Sequence, residues 1–127
     1  MKSQALFGMT IGILVILSSF AHAFLGWPAM HDELQTTNTN SDLIGAMSVG
    51  WHFGSVAMFT FGCIILFTAV EVWQEKNVQR GYIFIISLAY LLFGSVVFVV
   101  RNYNTHFLLF VITGVLTGLF ALRIKRR

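Results

Sequence analysis

Four side chains in this 127-residue sequence could do chemistry in an otherwise apolar setting: His22, His52, Arg101 and His106. Imidazole is the common protein ligand for haem iron and for zinc or copper. Two histidines on different helices could hold a haem b, and three could hold a metal ion. Arg101, together with Tyr90 and one histidine, could instead polarise a quinone carbonyl or bind an anionic lipid headgroup. No single-helix H-x-x-x-H, H-E-x-x-H or C-x-x-C spacing supports a metal site, since the sequence has one cysteine and widely separated histidines.

Catalytic arrangements are poorer. Ser55 stands one helical turn from His52, but no acid on that helix could orient the imidazole as a base. Glu71 is the only acid embedded in an apolar segment and reads as an ion-pair partner for Lys76 or Arg80. Cys63 reads as a small packing residue. A transporter would need polar groups right through the bilayer, and one half of each segment offers little beyond Thr10, Thr60, Thr68 and Ser87. No catalytic residue is expected, and a non-enzymatic protein is the leading reading.

The elements that carry these residues are apolar spans. Hydrophobic residues make up 57% of the sequence and charged residues only 10%, with mean hydropathy +0.79. Such a charge fraction is far below that of a soluble domain and points to a membrane protein. Four runs are long enough to cross a bilayer, at about residues 5–25, 43–73, 81–101 and 105–122. Short polar connections between them require antiparallel neighbours, so the expected fold is an all-α, antiparallel four-helix transmembrane bundle forming a single domain. Gly26-Trp27-Pro28 should end the first helix, and Ser41 or Asp42 should cap the second. A rival reading of the first run is a signal peptide, with Ala21-His22-Ala23 as its cleavage site.

Charge sets the expected orientation. Lys2, Lys76, Arg80 and the tail Arg123, Lys125, Arg126, Arg127 fall on one side of a four-span chain, and only Arg101 falls on the other. The positive-inside rule then places both termini in the cytoplasm and the protein in a cytoplasmic, or inner, membrane. The basic tail follows an apolar span, so it reads as an anchor on anionic lipid and not as a nucleic-acid contact. G-x-x-x-G pairs occur at Gly8/Gly12, Gly50/Gly54 and Gly114/Gly118. They predict close helix packing, within the chain or against a second copy or partner subunit.

Depth counting brings the polar residues together. The 19-residue step from His52 to Glu71 is about 28 Å of helix, close to the hydrocarbon thickness. The same arithmetic puts His22 about 30 Å from Lys2, His106 about 26 Å from Arg123, and Arg101 about 30 Å from Gly81. Every span therefore carries one strongly polar residue to the same outer level. If the helical stripes through His22, Ser48/His52/Ser55, Tyr90/Arg101 and His106 all face inward, they enclose a polar pocket. That pocket could take a small ligand, a quinone, a lipid headgroup or a partner subunit. The haem or metal alternative uses His22, His52 and His106. The plain alternative is that these side chains snorkel to the headgroups.

His22 and Gly26 in the first span, with Trp51, His52 and Ser55 at the start of the second, resemble a loose set of small, uncharacterised four-span bacterial membrane proteins. Those proteins pair H-x-x-x-G with W-H-x-x-S, and an acidic residue usually follows the glycine where Trp27 stands here. The resemblance implies a retained first span and a shared role for His22 and His52, and it brings no known activity.

Overall fold

The structure is a computed structural model and describes residues 2–124, so Lys125, Arg126 and Arg127 of the basic tail lie outside the described residues. It is an antiparallel bundle of helices with no strands among the described residues. Helix α1 spans Lys2–Ala21 and passes through a π-helical turn, His22–Gly26, into α2, Trp27–Thr36. Helix α3 spans Ser41–Trp73, α4 Gly81–Val100 and α5 Leu108–Arg123, the last preceded by a 3-10 turn at Thr105–Phe107. Four continuous segments are long and apolar enough to cross a membrane: Lys2–Thr36, Ser41–Trp73, Gly81–Val100 and Thr105–Arg123. Large apolar side chains cover their outer surfaces; Val49 and Phe53 are 73% and 74% exposed. Helices apolar on all sides are stable only with lipid as solvent, so the chain is a multi-pass membrane protein.

Two expectations about helix ends are corrected. The first helix does not stop at Pro28. It widens into the π turn just before the proline and continues to Thr36. Pro28 sits in the first turn of α2, directly after the π turn. The cap of α3 is Asn40, whose side-chain Oδ1 accepts the Asp42 N–H at 2.7 Å. At 33 residues, α3 is about 50 Å long, against a hydrocarbon core of about 30 Å. With the 35 residues of the first segment, it carries one end of the bundle well past the bilayer boundary.

The helices pack as two tight pairs, α1 with α3 and α4 with α5, and the consecutive helices α3 and α4 barely touch. Glycine makes each pair possible. A Cβ on Gly12 would lie 2.8 Å from the Leu66 backbone nitrogen and 3.0 Å from the Gly62 carbonyl oxygen. A Cβ on Gly114 would meet the Leu91 nitrogen at 2.9 Å, and beside it the Ser87 hydroxyl donates to the Gly114 carbonyl oxygen at 2.7 Å. Thus Gly8/Gly12 and Gly114/Gly118 mark close contacts. Gly50/Gly54 does not: nothing lies within 4 Å of a Cβ on Gly50, and Gly54 faces only the His22 ring. On α3 the close approach is made by Gly62.

The pairs join at the end that carries Lys2, Arg80 and Arg123, here called the basic end. Phe120 is fully buried there, and its ring fills the space where a Gly8 side chain would be. Ala5, Ile65, Ala69, Ile83 and Ala121 are also fully buried at this end. Towards the opposite, histidine end the pairs diverge, and the buried core thins to Val15 of α1 and Tyr90 of α4. Among the described residues Glu71 makes no ion pair with Lys76 or Arg80, contrary to expectation; its backbone carbonyl oxygen accepts the Lys76 N–H.

Candidate ligand-binding site

Where the two pairs diverge, a cavity of about 280 Å³ remains. It is lined by His22, by Gly54, Ala57, Met58 and Phe61 of α3, by Ala89, Tyr90 and Phe93 of α4, and by Phe110 of α5. The small residues Gly54, Ala57 and Ala89 leave the space, and aromatic rings frame it. Tyr90 stands edge-on to Phe61 at 6.0 Å and stacks with Phe110 at 6.3 Å, while Phe93 meets Phe110 edge-on at 5.1 Å. Ala89 and Phe93 are also exposed on the lipid side of α4. The cavity is therefore reached from the bilayer, through the seam that α3 and α4 leave unpacked.

Two polar side chains reach this wall. Tyr90 is 6% exposed, and its hydroxyl is buried without a hydrogen-bond partner. A buried hydroxyl left unpaired costs about 1–3 kcal/mol. His22, the other polar residue, is held by its surroundings. A proline ring at position 28 would crowd the carbonyl four residues back in a regular helix. The π turn relieves this by joining the Trp27 N–H to the His22 carbonyl oxygen. The same carbonyl accepts the Trp51 indole N–H at 2.7 Å, and the His22 ring stacks on Trp51 at 4.2 Å with 6° between planes. Gly26 makes room for that indole: a Cβ there would sit 2.8 Å from it. Single-turn π insertions recur at functional sites because they re-aim a side chain. Here the insertion places His22 against Trp51 on one side and the cavity on the other.

The remaining expected site residues are not brought in. His52 is exposed, its Nδ1–H donates to the Ser48 carbonyl oxygen at 2.8 Å, and its ring meets Trp27 edge-on at 5.7 Å. His106 is exposed in the 3-10 turn, where its backbone N–H donates to Asn104 Oδ1 at 2.9 Å. Arg101 is exposed at the end of α4. All three stand at the histidine end, and His52 and His106 are near enough to His22 to interact with it electrostatically. Of the five residues expected at a pocket, the cavity lining includes His22 and Tyr90 and does not include His52, Arg101 or His106. Among the described residues, no three His, Cys, Asp or Glu side chains are grouped to hold a metal ion, so the His22, His52 and His106 metal set is not assembled. Ser55 donates to the Trp51 carbonyl oxygen at 3.2 Å and not to His52, which removes the nucleophile–base pairing.

Sequence reasoning missed Trp51 as a positioning residue and missed the apolar wall. The signal for Trp51 was present: the H-x-x-x-G and W-H-x-x-S residues pack on one another, Trp51 touching both His22 and Gly26. Comparison with protein-family models, curated proteins and solved structures finds no match.

Proposed function

We propose that this protein is a non-enzymatic inner-membrane protein that binds a small lipid-soluble ligand carrying a ring carbonyl, the headgroup of a quinone, between its two helix pairs. The observation that carries this reading is the Tyr90 hydroxyl, buried without an acceptor in the wall of a cavity that opens to lipid. A carbonyl oxygen is the acceptor this donor lacks, and His22 supplies a second polar contact on the far wall. The size fits one substituted ring: about 280 Å³ is at the low end of the ~300–1,000 Å³ of small-molecule sites, too little for the acyl chains of a phospholipid. An isoprenoid tail would leave between α3 and α4. Two termini and a middle turn rich in Lys and Arg favour a cytoplasmic basic end, which puts the cavity in the outer leaflet.

The test is extraction of the protein purified in mild detergent, followed by the difference spectrum of the organic phase before and after borohydride reduction. The expected result is a quinone near one equivalent, reduced several-fold in Tyr90→Phe. Quinone in proportion to total carried-over lipid, unchanged by Tyr90→Phe, would refute the proposal.

A further inference from the structure

The cavity has a polar side chain towards each end and an apolar wall between. Along α3 the wall is Gly54, Ala57, Met58 and Phe61, the i, i+3, i+4, i+7 stripe of one helix face. Gly54 stands at one end of the stripe, beside the His22 ring: a Cβ there would lie 3.8 Å from His22 Nε2. Phe61 stands at the other end, in edge-on ring contact with Tyr90 at 6.0 Å. Seven residues of helix separate the two levels, a rise of about 10 Å. The α4 and α5 sides of the wall add Ala89, Phe93 and Phe110, all apolar.

Both polar groups have unspent hydrogen-bonding capacity. The Tyr90 hydroxyl is buried without a partner. At His22 the backbone carbonyl oxygen takes the hydrogen bonds, and among the described residues the ring nitrogens make none. Trp51 covers one face of that ring, so a ligand meets it by its edge, where Nε2 lies. Nothing fixes the ring proton on Nδ1, so a neutral imidazole can carry it on Nε2 and donate. Gly54, having no side chain, leaves that edge open to the cavity.

We infer, resting on the quinone reading, that the cavity selects a 1,4-dione, with the Tyr90 hydroxyl on one carbonyl oxygen, His22 Nε2–H on the opposite one, and Gly54 as the specificity-determining gap. Oxygens opposed across a six-membered ring lie about 5 Å apart, and a hydrogen bond of about 2.8 Å at each end extends the span to about 11 Å, which matches the stripe. The apolar middle of the wall takes the ring. A 1,2-dione carries both oxygens on one edge, so it can satisfy one end and leaves the other donor unpaired.

The experiment titrates the whole protein in detergent with 1,4-naphthoquinone and with its isomer 1,2-naphthoquinone, following tryptophan emission. A Cys63→Ala background removes the thiol that a quinone can alkylate. Saturable quenching by both isomers is expected, with the 1,4 isomer bound roughly fivefold more tightly, as one additional hydrogen bond requires. His22→Phe, which keeps a ring against Trp51, should abolish that preference. So should Gly54→Ala, whose Cβ meets Nε2 at ordinary contact distance and leaves the fold intact. Tyr90→Phe should weaken both isomers and keep the preference. Equal affinities for the two isomers, or a preference that survives either the His22 or the Gly54 substitution, overturns the inference and leaves a quinone site standing. Unsaturable quenching by both isomers overturns the inference and the quinone reading together. Should His22→Phe not fold, Gly54→Ala and the isomer comparison decide.

Discussion

At the scale of single residues, the protein keeps one hydroxyl in a state that elementary energetics disfavours. Tyr90 is buried, framed by Phe61 and Phe110, and its hydroxyl has no acceptor. If that hydroxyl serves ligand binding, its removal should improve the empty protein. Tyr90→Phe is expected to raise stability by up to about 1 kcal/mol in ligand-free detergent solution, because a desolvated donor is removed without opening a void. A urea or thermal denaturation series measures it. A loss of 1 kcal/mol or more would mean that the hydroxyl already has a partner and that the argument from Tyr90 fails. The other polar wall residue is held through Trp51. Trp51→Phe should cost about 1 kcal/mol through loss of the bond to the His22 carbonyl. A larger effect is expected on ligand binding, since the His22 ring loses part of its stacking surface.

At the scale of elements, glycine position decides how the helices pair, and the sequence motif alone does not. Alanine is favoured over glycine within a helix by up to about 1 kcal/mol. At Gly12 that gain is outweighed, because a Cβ would press on the Leu66 backbone, and overpacking typically costs about 1–3 kcal/mol. Gly12→Ala should therefore destabilise the fold, while Gly50→Ala, whose Cβ meets nothing, should be neutral or slightly stabilising. The pair of midpoints measured side by side tests the packing assignment; equal effects would contradict it. This contrast shows what could be read from the sequence. The four spans, their antiparallel order and the common level of the histidines follow from hydropathy and counting, because a bilayer imposes one length and one periodic burial rule. Gly50/Gly54 and Gly8/Gly12 are identical as motifs, and only the neighbouring helix distinguishes them. Pro28 reads as a stop signal, yet a local π turn absorbs it, and the Trp51 indole from another helix bonds the His22 carbonyl at which that turn closes.

At the scale of the whole molecule, two tight helix pairs joined at one end leave a space at the other. His22 and Tyr90 were legible as polar residues on inward stripes. Their selection over His52, Arg101 and His106 was not, since it depends on the angle at which the pairs diverge. The cavity wall is made of Gly54, Ala57, Met58, Phe61 and Ala89, which carry no sequence signal beyond ordinary membrane composition. Orientation has its own test in a Cys63→Ala background. A membrane-impermeant maleimide applied to intact cells should label Thr37→Cys at the histidine end and leave Asn77→Cys untouched. The reverse pattern would invert the topology and move the cavity to the inner leaflet.

The central claim, a quinone headgroup between the helix pairs, is tested most directly by titrating the detergent-solubilised protein with a short-chain benzoquinone while following tryptophan emission. Trp51 is stacked on His22, the residue that bridges it to the cavity. The account predicts saturable quenching at one equivalent, weakened roughly fivefold in Tyr90→Phe, as loss of about 1 kcal/mol requires. Ala89→Phe, which fills the cavity, should abolish it. Quenching that rises linearly with quinone concentration, and is the same in all three proteins, would contradict the account.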